Sequence, residues 1–471
     1  MAITLTFLGA ARTVTGSMHL LSTDKTNILF DCGLFQGKRD EYYDINSHFA
    51  FDPQNLDACI ISHAHIDHCG NIPTLIKNGF RGDIYTTPVT RDLCRYMLTD
   101  SGFIQEEDIK YVNKINKKRG LPPRNPLYTS EEAMRSLKYF RTLEYHTSHD
   151  ISKDVSLIFY EAGHILGSSI SIVEVKTGKK NIKIAYACDL GRRDMPLLKN
   201  PEVPKDIDYL IIESTYGGRL HEPMEIAEKK LINAINKTIK RGGKIIIPSF
   251  ALERTQLVVF FISELIKRKK IPKIPIYVDG PLAVNLTEVF RENWQYFDDI
   301  TRQSFLNSED PLGYDNITYI KAVNDSKKLH NISNPSIIIS ASGMCENGRV
   351  LHHLKNNVEN PNNTILIVGY MAEDTLGRKI VERNPEIRIF GRPYDLRAEV
   401  IKINAFSAHA DNDGLVEYAN ECKGKLKEIF IVHGELEKAE LLKVSLKKKI
   451  NKIKATIPKK EETFFLKAVE K

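Results

Sequence analysis

His63-Ala64-His65-Ile66-Asp67-His68 packs three imidazoles and a carboxylate into six residues. It follows the apolar run Cys59-Ile60-Ile61-Ser62, which reads as a strand, and precedes Gly70-Asn71-Ile72-Pro73, which reads as a helix start. Rigid scaffolds present their ligands on loops at strand ends. Imidazoles and a carboxylate suit a borderline metal such as zinc. A polar turn with incidental histidines would be the bland alternative, and four metal-type donors packed behind a buried strand speak against it. One loop cannot close two tetrahedral sites, so further donors must come from distant strand ends. His164, in Ala162-Gly163-His164-Ile165-Leu166-Gly167-Ser168, and Asp189, in Ala187-Cys188-Asp189-Leu190-Gly191, each follow a β-type run. Glycines beside both permit close backbone approach.

Outward from this loop the chain has two styles. The first 210 residues are strand-rich, with candidate strands Ile3–Leu8, Asn27–Asp31, Ala58–Ser62, Ser156–Ala162, Ile170–Val175, Ile182–Asp189 and Tyr209–Glu213. Helical patterns interrupt them at Ile72–Lys77 and across Thr90–Lys118. From about Glu225, helices (Glu225–Lys240, Thr255–Arg268, Val284–Phe297) alternate with β-branched strands (Lys244–Pro248, Ile274–Val278, Ser336–Ser340, Thr364–Val368). That alternation predicts βαβ units on a mostly parallel sheet. After about Ala398 the pattern turns back: a strand at Glu399–Phe406, a helix at Asp413–Cys422, a strand at Glu428–Val432 and a helix from Glu437. The lysines between Lys443 and Lys460 read as a solvated face.

With 471 residues, 42% of them hydrophobic, the chain can bury a large core and hold two domains, or one domain with a large insertion. A net formal charge of +7 is compatible with a nucleic-acid partner without requiring one. Seven scattered cysteines, none in a CxxC pair, predict reduced thiols and a cytoplasmic protein. The N-terminus alternates like a strand and shows no secretory signal, and the longest apolar run, Leu257–Ile262, is too short for a bilayer. No membrane association is expected.

Asp31, His63, His65, Asp67, His68, His164 and Asp189 occur in the order of the motif set of the metallo-β-lactamase superfamily, which this chain resembles. The resemblance implies a four-layer αββα sandwich and two zinc ions. One ion would sit on His63, His65 and His164, a second on Asp67 and His68, with Asp189 bridging them. Asp31 would orient a ligand from behind. An imidazole at position 65, where flavodiiron-type relatives carry glutamate, favours zinc and hydrolysis.

Three further stretches resemble motifs A, B and C of the β-CASP nucleases: Glu213-Ser214-Thr215-Tyr216-Gly217, Phe406-Ser407-Ala408-His409-Ala410-Asp411, and Ile431-Val432-His433-Gly434-Glu435. The histidine of the third matches the RNA-acting branch. The resemblance implies that His433 completes the second zinc and that Glu213 and His409 pair near the leaving-group oxygen. Asp31, Asp67, Glu213 and His409 are thereby the residues serving the reaction. Pro248–Gln256 also looks like the family, although Glu253 stands where relatives often have glycine. Ser340, Ser342 and Gly343 are candidates to bind an RNA phosphate, a tight turn of small residues being the other reading.

The expected organisation is a metallo-β-lactamase domain (1–208 and 397–471) with an inserted parallel-sheet β-CASP domain (209–396). The added regions that some members carry at either end are not expected. The implied activity is zinc-dependent cleavage of single-stranded RNA, by endonuclease action with 5′-exonuclease action as a further mode, in a narrow cleft or with the help of homodimerisation. Two other classes stay open. A small-molecule hydrolase of thioesters or lactones explains the metals but not Glu213, His409 or the insertion. A non-catalytic RNA-binding member would lack metal ligands, and here the inferred set is complete.

Overall fold

A computed structural model describes residues 2–467 apart from 38, 179, 308 and 452. It divides into two compact units, one of residues 1–220 with 408–471 and one of residues 221–407. In the first unit, two seven-stranded sheets gather from strands far apart in sequence. One runs, edge to edge, Glu462–Leu466, Ile3–Gly9, Met18–Ser22, Asn27–Phe30, Ala58–Ile60, Asp83–Thr86 and Phe140–Thr142. The other runs Lys454–Thr456, Glu428–Ile431, Tyr209–Ile212, Ile182–Ala187, Ser169–Val175, Val155–Glu161 and His149–Asp150.

Side chains alternate across a strand, so each sheet has two faces to bury. Leu5, Phe7, Ile28, Phe30, Phe159, Val173, Ile184, Tyr186 and Phe430 fill the space between the sheets. The opposite face of the second sheet, with Ala185, Leu210 and Ile212, is covered by Leu415 and Ala419 of helix Asn412–Glu421 and by Leu442 and Leu446 of helix Leu436–Lys449. Helix Pro88–Lys118 buries Val89, Leu93 and Leu98 beside the first sheet. Helix, sheet, sheet, helix is the expected αββα order.

The second unit is built on a six-stranded, wholly parallel sheet: Ile317–Ile320, Ile276–Asp279, Ile337–Ser340, Ile245–Pro248, Thr364–Ile367 and Glu399–Lys402. Its central strands are continuous Ile runs buried at every position, as sheets covered on both faces require. Both unit boundaries lie further along the chain than the sequence pattern suggests. Tyr209–Ile212 is hydrogen-bonded between Ile182–Ala187 and Glu428–Ile431, so it belongs to the first unit. Glu399–Lys402 pairs with Thr364–Ile367, so it belongs to the second, and it stops at Lys402 instead of running on to Phe406. No helix of the described residues is long and apolar enough to cross a membrane.

Candidate active site

Every metal-type donor group singled out in the sequence, and Asp31 and Glu213 with them, lies just beyond a strand of the first unit. Asp31 follows Asn27–Phe30, and the histidine loop follows Ala58–Ile60. His164 follows Val155–Glu161, Asp189 follows Ile182–Ala187, Glu213 follows Tyr209–Ile212 and His433 follows Glu428–Ile431. Two glycines let these loops meet. A Cβ on Gly33 would lie 1.7 Å from the Asp67 carbonyl oxygen, and one on Gly191 would lie 1.9 Å from that of Gly163. Asp31 and His433 themselves hold left-handed backbone, with φ of 55° and 46°. Such strain in non-glycine residues collects at functional sites.

The donors form two groups around Asp189, and Asp189, Glu213 and His409 make a further trio whose donor atoms also lie within 4.8 Å of one another. In the first, His63 Nε2 lies 3.0 Å from His65 Nδ1, and His164 Nε2 lies 3.3 Å from the same atom. Asp189 Oδ2 is 3.5 Å from His63 Nε2 and 3.4 Å from His164 Nε2. In the second, His68 Nε2 is 3.5 Å from Asp189 Oδ2 and His433 Nε2 is 3.4 Å from Asp189 Oδ1. Asp67 Oδ2 is further off, 3.8 Å from each of these two nitrogens. A tetrahedron with metal–ligand bonds of about 2.0–2.2 Å has edges of about 3.3–3.6 Å; the distances from His164 to His65 and from Asp189 to His63 and His164 fall in that range, and the His63–His65 distance of 3.0 Å is shorter. His68 Nε2 and Asp189 Oδ1 are buried without a hydrogen-bond partner, a costly state for a polar atom that has no ion to bind. The residues present therefore fit a metal.

Burial, followed by the neighbouring imidazoles, holds His63, His68 and His164 well below the usual histidine range. They are neutral, the form in which histidine ligates. Asp31 stands behind His68. Its Oδ2 accepts from His68 Nδ1 (2.7 Å), Tyr186 Oη (2.7 Å) and Ser62 Oγ (2.8 Å), while Oδ1 accepts from the Ser62 N–H (2.8 Å). Burial raises its carboxyl to about 7 against the pull of the Ser62 and Tyr186 bonds. A cation on His68 would favour its carboxylate. His68 Nδ1 facing a carboxylate leaves Nε2 as the nitrogen a metal could take.

Beside this centre, His409 Nδ1 meets both oxygens of the buried Glu213 carboxylate at 3.0 Å. The Leu190 N–H donates to Glu213 Oε1 (2.8 Å). His409 is held to the Asp189 loop by an antiparallel bridge to Gly191, and its ring lies 4.4 Å from that of His164. Burial alone would lower its pKa, but Glu213, then Asp189 and Asp67, reverse that and raise it to about 9. Glu213, correspondingly, is pushed up by burial and brought below the usual range by His409. The Glu213 carboxylate thus favours the charged form of the His409 imidazole.

The sequence reading missed Cys188, which offers a donor to the group of His68, Asp189 and His433. The available signal was its place in the alternation Ile182, Ile184, Tyr186, all inward-facing. Ser340, Ser342 and Gly343 lie in the second unit. Ser340 ends a strand and its buried hydroxyl donates to the Asp279 carbonyl (2.8 Å). Ser342 is half-buried in the loop that follows, and Gly343 is packed at the Phe250 ring.

Three family models match the chain: a metallo-β-lactamase superfamily domain over residues 20–203, a Beta-Casp domain over 255–380, and a Zn-dependent metallo-hydrolase RNA specificity domain over 393–458. Among curated proteins, ribonuclease TTHA0252 of Thermus thermophilus is 33% identical over 430 residues, covering 91% of this chain and 93% of the relative. The chain belongs to the β-CASP family of metallo-β-lactamase-fold proteins. Transcription termination factor FttA of Pyrococcus horikoshii, also similar, is 34% identical over 465 residues, 95% of this chain and 68% of that protein. A crystal structure of a protein of unknown function from Enterococcus faecalis V583 shares the fold, with a TM-score of 0.55, 13% identity and coverage of 99% of this chain and 100% of that one. In this β-CASP chain the donor groups and the Glu213–His409 pair belong to one unit, assembled from residues 31 to 433.

Proposed function

We propose that this chain is a two-zinc ribonuclease of the cytoplasm that hydrolyses phosphodiester bonds of single-stranded RNA and attacks internally. The observation that carries the reading is the Glu213–His409 pair set beside the donor groups around Asp189. A metal site for small-molecule hydrolysis has no need of a buried carboxylate dedicated to keeping a second, non-ligating imidazole charged. An alkoxide leaving group does. Ribonuclease TTHA0252 and the match to an RNA specificity domain support RNA as the substrate.

His63, His65, His164 and Asp189 would hold one zinc, and Asp189, His68, His433 and Asp67 the second. Bound there, the ions supply Lewis-acid polarisation of the phosphoryl group and an attacking water of lowered pKa. The chain supplies the rest. Asp31 fixes the His68 ring. Glu213 binds His409 Nδ1, so the other ring nitrogen holds the proton that passes to the leaving 3′ oxygen. The products carry 5′-phosphate and 3′-hydroxyl ends. All seven cysteines are free and buried, which suits a reducing compartment.

A circular single-stranded RNA tests this reading, since it offers no end. The expected result is conversion of the circle to a linear product, lost with chelator and in His409→Ala. An intact circle, alongside degradation of the same sequence as a linear 5′-phosphorylated RNA, would replace internal cleavage with 5′-exonuclease action. Neither substrate being cut would refute the ribonuclease reading.

A further inference from the structure

The strand Tyr209–Ile212 gives way to Glu213, and the chain then makes tight turns in which the Gly217 N–H donates to the Ser214 carbonyl (3.0 Å) and the Arg219 N–H to the Tyr216 carbonyl (2.9 Å). This segment is tied down on several sides. Ser214 Oγ donates to the Val432 carbonyl (2.9 Å) and Thr215 Oγ1 to the His433 carbonyl (3.1 Å). Asn412, close after His409 in the chain, accepts from the Gly218 N–H (3.0 Å) and donates its own N–H to the Arg219 carbonyl (3.0 Å). A Cβ on Gly217 would stand 2.1 Å from the Lys438 carbonyl oxygen, so the turn also packs closely on helix Leu436–Lys449. These ties hold the partly exposed Tyr216 ring 6.1 Å from the His409 ring and inclined 33° to it. Glu213, Tyr216 and His409 all belong to the first unit.

We propose that the Tyr216 ring is the platform on which the base of the leaving nucleotide stacks, the nucleotide whose 3′ oxygen takes the proton from His409. The inference rests on the ribonuclease reading above and names a contact for its substrate. With His409 at the 3′ oxygen, the ribose that carries this oxygen lies beside the imidazole, and the base of the same nucleotide is one ribose away. Tyr216 stands at that range. The bases of a single strand are free to leave their neighbours and lie on an aromatic side chain. A tyrosine on a fixed backbone has only two side-chain torsions to order, so little conformational entropy opposes the contact. Every base has a π face, so such a platform secures the strand beside the proton donor without choosing a sequence. A paired base, already stacked within a duplex, is not available to it.

The test uses the full zinc-loaded chain and a single-stranded RNA whose cleavage position has been mapped, in an intact form and in a form abasic at the nucleotide on the 5′ side of the scissile phosphate. Losing a base–aromatic stack weakens binding by about 5–150-fold. Tyr216→Ala should therefore raise KM by that factor on the intact RNA, with kcat and its pH dependence little changed, and Tyr216→Phe, which keeps the ring, should restore the wild-type KM. On the abasic RNA the wild type should show the same rise, and Tyr216→Ala no further one, because the contact is already gone. Zinc content and circular dichroism establish that each variant is folded and loaded. An unchanged KM of the wild type on the abasic RNA would overturn the proposal without recourse to any variant. Equal abasic penalties in wild type and Tyr216→Ala would overturn it too, as would a Tyr216→Phe variant as impaired as Tyr216→Ala, which would assign the role to the hydroxyl. A wild type that cuts no RNA would overturn the ribonuclease reading and this proposal with it.

Discussion

Replacing Asp31 with asparagine should loosen the metal centre while leaving the fold intact. Four donors converge on this carboxylate at 2.7–2.8 Å, three on Oδ2 and one on Oδ1. An asparagine offers one acceptor oxygen and one NH2 group. With its oxygen turned to the crowded corner, the NH2 faces the Ser62 N–H; turned the other way, it faces His68, Tyr186 and Ser62 Oγ. The better arrangement loses one hydrogen bond and the charge from the others. Because burial raises the metal-free carboxyl to about 7, its charge is only partly present at neutral pH; an ordinary hydrogen bond contributes about 0.5–1.5 kcal/mol, so the metal-free variant should be destabilised by roughly that amount. The metal effect is separate. Losing the carboxylate behind a ligating histidine typically costs about 10–100-fold in metal affinity. That corresponds to about 1.4–2.7 kcal/mol. Competition against a chromophoric chelator measures the second quantity, and urea unfolding of the metal-free protein measures the first. Asp31→Ala, which orphans all four donors, should be the more damaged of the two variants. If Asp31→Asn lost stability but bound metal as tightly as the wild type, Asp31 would be a core hydrogen-bond acceptor with no part in tuning His68.

Because Asp189 faces both donor groups, Asp189→Ala should lose both ions and His433→Ala should preferentially lose the second, read by elemental analysis; a full complement in Asp189→Ala would contradict the ligand assignment. In the second unit, burial raises the Asp279 carboxyl, but hydrogen bonds from His353, Ser326 and Arg349 outweigh it and hold the group below the usual carboxylate range. Asp279→Asn should therefore cost about 3 kcal/mol at neutral pH, as removal of one partner of a buried pair does. A depressed folded-state pKa stabilises above the unfolded value of about 3.9 and ceases to do so as pH falls through the folded value. Urea midpoints of wild type and variant should accordingly converge only on strong acidification, and a gap that stays constant down to about pH 2 would refute the linkage.

Much of the first unit was legible because its metal-type donors sit where buried strands end, and strand ends are marked by apolar runs giving way to glycine. His63–His68, His164, Asp189 and His433 could be placed that way, and the alternating units of the second sheet announced themselves through β-branched runs such as Ile245–Ile247. What could not be read was pairing. The boundary strands Tyr209–Ile212 and Glu399–Lys402 look alike in sequence, and only their hydrogen-bonded neighbours assign them to different units. Strand Asp83–Thr86 is four residues long, too short to set a pattern against the adjoining helix Pro88–Lys118. The hairpin Glu386–Ile389 with Arg392–Asp395 did carry a signal in Gly391. Phe390 and Gly391 both take positive φ, the geometry of a tight two-residue turn, but phenylalanine at the first position disguises it.

The central claim is that metals and a separate proton donor act together on RNA. Single-turnover cleavage of a pool of labelled single-stranded RNA, by wild type and His409→Ala of equal zinc content, tests it most directly. The account predicts cleavage by the wild type that chelator abolishes and zinc restores, with His409→Ala slower by about 10²–10⁴. Cleavage by the wild type that survives complete metal removal, or a His409→Ala variant that cuts at the wild-type rate, would contradict it.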